Sequence, residues 1–443
     1  MSVPADTIVA IATPPGRGGV GVVRLSGPKA FTIAEQLSGS LPTVRTASLR
    51  HFHDAEGAVI DTGLLIRFAG PHSFTGEDVV EIQAHGSPVV LELIVTAAVA
   101  AGARRAAPGE FSQRAFLNDR MDLAQAEAVA DLIASASEKA ARAAHRSLEG
   151  AFSKSVDEIH QALVELRVWV EAALDFPDED VDFLADGQVV ERAVDLRTRL
   201  EALLARATTG RLLTDGVRIA IIGPPNAGKS SLLNALAERD VAIVTEIPGT
   251  TRDVLRETIT LAGMPVVLSD TAGLRETSDR VEVEGVRRAQ QEMQAADLVF
   301  HVVDATDKVG HELSGVPGSV PVIRIENKID LGGGPPGRDD HRVRVSALTG
   351  EGLDALESLV LDVLGAGDTD SGGEFSARQR HVDALQRALM HVEAGETEIR
   401  VSGSGELLAE ELRMAADELG EITGRMSSDQ LLGEIFSSFC IGK

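Results

Sequence analysis

The rhythm of hydrophobic and polar positions changes along the chain. From residue 1 to 120, short apolar runs ("GVGVVRLSG", "TGLLIRFAG", "EDVVEIQAHG") alternate with Gly- and Pro-bearing turns. Such runs predict strands, and the zone reads as an α+β domain. From 121 to 215 apolar residues recur at spacings of three and four. "LAQAEAVADLIASASEKAARAAHRSLEG" and "VVERAVDLRTRLEALLARA" are rich in Ala, Leu and Glu and predict helices, with "DFPDEDVDF" breaking the pattern between them. From 216 to 370 strands and helices alternate, as in an open parallel sheet. From 371 to 443, after the polar linker "GAGDTDSGGEF", long helical patterns return. Two helical zones flanking an α/β zone predict one discontinuous all-α domain with a nucleotide-binding module inserted into it. Insertion of this kind is tolerated where the inserted ends lie close together. The expected fold class is multidomain α/β.

The chemistry sits first in "RIAIIGPPNAGKSSLLNALA", a predicted buried strand, tight loop and helix start. Gly223, Gly228, Lys229 and Ser230 fit the phosphate-loop spacing G-x-x-x-x-G-K-S in the required context. The glycines let backbone N–H groups approach phosphates, and the helix N-terminus adds its positive end. Lys229 is expected on the β- and γ-phosphates and Ser230 on Mg2+. "DTAG" follows the strand "PVVLSD" and puts Asp270 near the metal and the Gly273 N–H near the γ-phosphate. "NKID" follows "VPVIRIE", with Asn327 and Asp330 expected to read guanine and Lys328 to pack along the loop. Asp330 suits guanine because adenine has no matching donor pair. "SAL", beginning at Ser346, follows another strand and is expected to close over the base. Four elements in this order, each after a strand, predict a GTP-hydrolysing module. In "TEIPGTTRD", Thr250 or Thr251 is the expected γ-phosphate-sensing ligand of Mg2+. The stretch 305–319 is poor in helix pattern, so the usual crossover helix there is expected to be reduced.

One position departs from the Ras-like pattern. The residue after "DTAG" is Leu274, where Ras-like enzymes use a Gln to orient the attacking water. Three replacements fit the residue types. Arg252 or Arg275 in the switch segments would act as an internal arginine finger. Asn226 in the phosphate loop would offer a side-chain oxygen to K+, completed by backbone carbonyls of "TEIPGTT". Glu282 or Glu284 would orient water at the start of a predicted helix. Each also has an ordinary role, as a solvated charge, a loop-shaping residue or a helix N-terminal acid.

Composition narrows the partners. A length of 443 residues predicts two to four domains. The formal net charge of -26 disfavours non-specific binding to nucleic acid or anionic membrane, so any RNA substrate needs a basic partner. At 3% aromatic residues, wide stacking platforms for single strands are not expected. The chain has one cysteine, Cys440, which predicts a reducing, cytoplasmic setting. A secretory signal is not expected from "MSVPADTIVA", and no apolar run approaches a membrane span. His51, His53, His72 and His85 form no metal-ligand pattern.

Several stretches together carry a resemblance. "ATPPGRGGVGVVRLSG", "PHSFTGEDVVEIQAHG", "PGEFSQRAFLNDRMDLAQAEAVADLI", "GPPNAGKSSLLNAL", "GTTRDVLRE", "DTAGLRE" and the terminal "LLGEIFSSFCIGK" resemble the MnmE (TrmE) family of GTPases that modify the tRNA wobble uridine. The resemblance spans nearly the whole chain. It implies an N-terminal domain like the tetrahydrofolate-binding fold (1–120), a helical domain in two parts (121–215 and 371–443) and an inserted Ras-like GTPase domain (216–370). It implies hydrolysis without an arginine finger, with Leu274 the family's usual residue. K+ would be held by Asn226, Thr245, Ile247 and Thr250, and Mg2+ by Ser230 and Thr251. Glu282, rather than Glu284, would position water. The remaining GTP contacts would come from Ala227, Gly228, Lys229 and Ser231, from Glu246, Pro248 and Gly249, from Asp270, Thr271, Ala272 and Gly273, and from Asn327, Lys328, Asp330, Ser346 and Ala347.

The same resemblance implies that a 5-formyl- or methylene-tetrahydrofolate is held by Arg24, Glu81, Arg120 and Lys443, with Arg120 standing where Lys is common. Cys440 is implied as a candidate catalytic thiol, against the plain reading of a small buried hydrophobe. The partners implied are a second copy in a homodimer, the FAD-dependent MnmG (GidA) in a heterotetramer, and tRNA, with no membrane. The product would be a carboxymethylaminomethyl- or aminomethyl-uridine at U34. Two alternatives belong to other classes. A ribosome-assembly GTPase needs an RNA-binding appendage on a basic background, and this C-terminal zone is acidic and helical. A membrane K+-dependent transporter GTPase needs spans.

Overall fold

The computed structural model describes residues 6–175, 188–239, 256–261, 263–270, 296–307, 316–318, 320–332, 334–364, 375–425, 429–437, 439 and 442. The chain forms two compact units, Met1–Ala130 with Gly420–Lys443, and Asp131–Leu419.

The first unit is built on strands β1 (Ile8–Ile11), β2 (Gly18–Ser26), β3 (Ser48–His53), β4 (Val59–Phe68), β5 (Val79–Gly86) and β6 (Arg104–Arg105), with helices α1 (Ala30–Ser38), α2 (Pro88–Ala100) and α3 (Glu110–Leu117). The strand order is β3-β4-β5-β2-β1-β6. β1 and β6 pair in parallel and the other neighbours antiparallel. The period of two decides what each face carries. Val23 and Leu25 of β2 and Val80 and Ile82 of β5 are buried in one cluster with Ile33 of α1 and Ile94 of α2. Arg24 and Glu81, the residues between them, fall on the opposite face and oppose each other in register. That face holds Phe111 of α3 and Phe74, packed with Ile8 and Ala10.

The C-terminal residues belong to this unit. In the helix Asp429–Ser437, Leu432, Ile435 and Phe436, with Phe439 beyond it, are buried against Leu123 and Ala126 of α4 (Leu123–Ala134). Gly109, at φ 65°, lets the chain approach so closely that a Cβ there would lie 2.4 Å from the Phe436 carbonyl oxygen. Gly442, at φ 97°, meets the end of β1 in the same way, 2.2 Å from the Ile11 oxygen.

In the second unit, α5 (Glu138–Leu148), α6 (Ala151–Asp175) and α7 (Gln188–Asp215) lead into the sheet. Val189, Ala193, Leu196, Leu200, Leu203, Ala207 and Gly210 of α7 are buried, at alternating spacings of four and three, which makes a continuous apolar seam. The sheet comprises β7 (Val217–Ile222), β8 (Arg256–Leu261), β9 (Met264–Asp270), β10 (Leu298–Asp304), β11 (Val322–Asn327), β12 (Gly337–Arg338) and β13 (Arg342–Arg344), with α8 (Lys229–Arg239) and α9 (Leu353–Val363). Its order is β12-β13-β11-β10-β7-β9-β8, parallel inside with antiparallel β8 and β12 at the edges. Every residue of β10 from Leu298 to Val303 is buried, the run expected of a central parallel strand. Residues 308–315, most of the stretch expected to have a reduced crossover helix, lie outside the described residues.

The chain returns to the helices at Phe375, which is 1% exposed. Its ring centroid lies 4.7 Å from that of Phe152. Ser376 donates its N–H to Ser147 Oγ (2.8 Å), and the same hydroxyl donates to the Ser376 carbonyl (3.0 Å). α10 (Gln379–Val401) then packs along α7, so helical segments from both sides of the α/β zone form one bundle, with α11 (Gly405–Thr423) following. Among the described residues no helix is long and apolar enough to cross a membrane.

Candidate functional site

β7 ends at the phosphate loop and α8 begins at Lys229. Two glycines there are forced by space. A Cβ on Gly223 would sit 2.0 Å from the Val302 carbonyl oxygen of β10. A Cβ on Gly228, at φ 92°, would sit 2.2 Å from Asn327 Nδ2. The loop therefore lies directly on the C-terminal ends of β10 and β11. Lys229 Nζ donates to the carbonyls of Gly223 (2.8 Å) and Pro224 (2.9 Å), which places the ammonium over the mouth of the loop. Ser230 and Ser231 are exposed in the first turn of α8, where a hydroxyl suits a hard cation.

The segment expected to read guanine grips the same loop. Asn327, 1% exposed, donates from Nδ2 to the Ala227 carbonyl (3.0 Å), and its Oδ1 accepts the Ala347 N–H (2.9 Å). Lys328 Nζ donates to the Asn226 carbonyl (2.6 Å). Asp330 is exposed in a short turn, and its Oδ1 accepts the hydroxyl of fully buried Ser346 (2.6 Å), which fixes the carboxylate. Asn226 and Lys328 both hold left-handed backbone, at φ 62° and 68°, a conformation Asn tolerates better than most residues. The structure thus brings together Asn226, Ala227, Gly228, Lys229, Ser230, Ser231, Asn327, Lys328, Asp330, Ser346 and Ala347. Asp270 closes β9 beside β7. Thr245 to Thr251, Arg252, Thr271 to Arg275, Glu282 and Glu284 lie outside the described residues.

Sequence reading passed over Asp304. At the end of β10, its Oδ2 accepts from Lys328 Nζ (2.8 Å) and its Oδ1 from the Thr306 N–H and hydroxyl (2.9 and 2.7 Å). The hydrogen bond from Lys328, then those from Thr306, lower its pKa to about 2. The sequence shows only an acid closing an apolar run; the sheet order brings it beside the phosphate loop.

In the first unit, Arg24 and Glu81 form a two-point contact, with Nε and Nη2 of the arginine donating to Oε1 (3.0 and 2.8 Å). The Arg24 guanidinium lies 5.2 Å from the Phe74 ring centroid and 5.8 Å from that of Phe111. Arg120 is exposed, with its aliphatic stem against Gly76. Of the three described residues expected to hold folate, Arg24 pairs with Glu81 and lies near Phe74, and Arg120 lies against Gly76 of the same loop, 73–77. A charged pair against aromatic faces fits a flat, polar-edged ring such as a pterin. Cys440 and Lys443 lie outside the described residues, while Gly442 sits at the end of β1 in this same unit.

Behind that loop is a second cluster that sequence reading missed. Arg114, 1% exposed, donates to Asp6, Glu77 and Glu110. Arg104 also bonds Asp6 and Glu110, and Ser26 donates to Glu77 (2.6 Å). Burial works against the Arg114 charge, but Glu110, Glu77 and Asp6 outweigh it and raise its pKa.

Two family models cover nearly the whole chain. Residues 123–440 match the model of the MnmE helical domain, and residues 7–120 match that of the GTP-binding protein TrmE N-terminus. The chain belongs to the MnmE family. A tRNA modification GTPase MnmE of Marinobacter nauticus is 51% identical over 457 residues, covering 100% of both chains. A protein of the same name from Legionella pneumophila is 52% identical over 445 residues, covering 99% of each. Among solved structures, Aquifex aeolicus Era bound to GDP and aluminium fluoride is 24% identical and covers 42% of this chain and 67% of its own, with a TM-score of 0.25, too loose to carry an argument.

Proposed function

We propose that the protein is a GTP hydrolase that couples turnover to modification of tRNA, with K+ and a carboxylate together doing the work of the missing water-orienting Gln. The observation that carries this reading is the grip of the guanine-reading segment on the phosphate loop, in a chain whose whole length matches MnmE proteins. Lys229 binds the β- and γ-phosphates, Asp330 and Asn327 bind guanine, and Ser230 with Thr251 would hold Mg2+. Asn226 is exposed on a turn at the mouth of the loop, so its amide oxygen is available to a cation. With Thr245, Ile247 and Thr250 it would hold K+. A K+ ion held by these residues would supply the positive charge that other GTPases take from an arginine. Glu282 would orient the water.

Arg24, Glu81, Arg120 and Lys443 would hold the tetrahydrofolate that donates the one-carbon unit to C5 of U34. An FAD-dependent partner, MnmG, would complete the chemistry, with Cys440 a candidate thiol for it. With a net charge of -26, this chain leaves most of the tRNA to the partner. The working form is a cytoplasmic homodimer that joins the partner in a heterotetramer.

The chain mixed with MnmG, tRNA, a tetrahydrofolate donor, an amine donor and GTP is expected to yield modified U34 by nucleoside mass spectrometry, and none when GTP is replaced by a non-hydrolysable analogue. Modification independent of GTP hydrolysis would contradict the coupling. Arg24→Ala is expected to weaken binding of 5-formyltetrahydrofolate, read by calorimetry, by about tenfold, because a charge-assisted contact and a stacking partner are both lost. Unchanged affinity would remove Arg24 from the folate site.

A further inference from the structure

Asp304 accepts hydrogen bonds from Thr306 and Lys328, and so anchors in Lys328 the residue that holds the phosphate loop. Its two oxygens divide the work. Oδ1 takes the Thr306 N–H and hydroxyl, which fixes the carboxylate to the end of β10. Oδ2 takes the Lys328 ammonium at 2.8 Å. The same ammonium reaches the Asn226 carbonyl at 2.6 Å, and the next loop carbonyl, that of Ala227, is held by Asn327. Two consecutive peptides of the phosphate loop are thus gripped by two consecutive residues of the guanine-reading segment. Asn226 and Lys328 are both left-handed, a backbone state that persists where surroundings hold it.

We infer that Asp304 is a positioning residue for the cation site: through Lys328 it fixes the Asn226 peptide and so pre-sets the turn from which the Asn226 side chain meets K+. This rests on the reading that Asn226 holds K+. Outer contacts of this kind orient a metal's ligands without touching the metal. Lys328 contributes one charge to both partners, so removing the Asp304 carboxylate frees the ammonium and loosens the Asn226 turn. The Asn327 clamp and Asp330 stay in place, so recognition of the base is kept.

The test uses the full-length protein and a fluorescent, non-hydrolysable GTP analogue, titrated with KCl at constant ionic strength balanced by choline chloride. GDP affinity in NaCl serves as the control. Asp304→Asn is expected to raise the K+ concentration for half-maximal tightening by about tenfold. Its GDP affinity in NaCl is expected to stay within about twofold of wild type. Asp304→Glu, which keeps the carboxylate, is expected to recover most of the K+ response. An unshifted K+ midpoint in Asp304→Asn, beside a K+-responsive wild type, overturns this inference alone. Equal losses in GDP affinity and K+ response also overturn it, since they mark a merely structural role. A wild type indifferent to K+ overturns the cation reading and this inference together.

Discussion

Replacing Asp330 with asparagine is expected to lower GTP affinity by at least about two orders of magnitude, because two hydrogen bonds to a charged acceptor, each worth about 1.5–3 kcal/mol, give way to a single neutral one. Guanine presents two donors, the ring N–H and the exocyclic amine, and a carboxylate accepts both. An amide in the same place offers one acceptor and one donor, so the amine meets an N–H instead of an oxygen. Xanthine carries an oxygen where guanine carries the amine, and it matches the amide. The same variant is therefore expected to gain xanthosine triphosphate as it loses GTP. Ser346 supports the swap, since its hydroxyl holds the side-chain oxygen in place from a fully buried position. Competition of the two triphosphates against a fluorescent GDP analogue checks this. Undiminished GTP affinity would mean that the base is read elsewhere.

Arg114→Ala carries the largest expected cost in the first unit, about 3–5 kcal/mol, the range for breaking a buried ion pair from one side. The guanidinium is shared by Asp6, Glu77 and Glu110, and removing it leaves like charges facing each other near the loop 73–77. The pH dependence adds a signature. The Arg104 hydrogen bond is the main cause that holds Asp6 below its ordinary pKa. Burial pushes Glu110 upward, but Arg104, the Ala107 N–H and Arg114 together hold it below its ordinary value. Lowered carboxylate pKa values stabilise the fold above their unfolded values, near pH 4, and that stability is lost as pH falls through the folded values. Wild type is therefore expected to lose stability steeply below about pH 4, and Arg114→Ala more gradually from a lower starting point. Urea unfolding at pH 7 and in the acid range, followed by circular dichroism, reads both. A loss under about 1 kcal/mol at pH 7 would show that the network contributes little net stability.

Legibility in the sequence followed the range of the interactions. Period two in "GVGVVRLSG" fixes which face of β2 carries Arg24, and period three-and-four fixes the seam of α7. The phosphate loop and "NKID" were readable because close packing makes their glycines and Asn unavoidable, as the Val302 and Asn327 contacts demonstrate. The direct Arg24–Glu81 contact required strand register, which neither strand states alone. Contacts across long separations left no local trace. The Asp6–Arg114 contacts join residues 108 positions apart, and the Lys328–Asn226 contact spans 102. Asp304 sits in an unremarkable "VVDA", and its role follows from the sheet order that puts β10 between β7 and β11. The left-handed turn at Asn226 was equally silent, since Asn adopts several loop conformations.

The central claim is that a cation and a carboxylate do what the absent Gln does elsewhere. The direct measurement is GTP turnover by the full-length protein in KCl against NaCl at equal ionic strength, across a range of protein concentrations. Strong stimulation by K+ is expected, rising with protein concentration as two copies meet, and lost in Asn226→Ala and Glu282→Ala. Equal rates in both salts, with turnover abolished only by Arg252→Ala or Arg275→Ala, would assign the work to an arginine finger and contradict that claim.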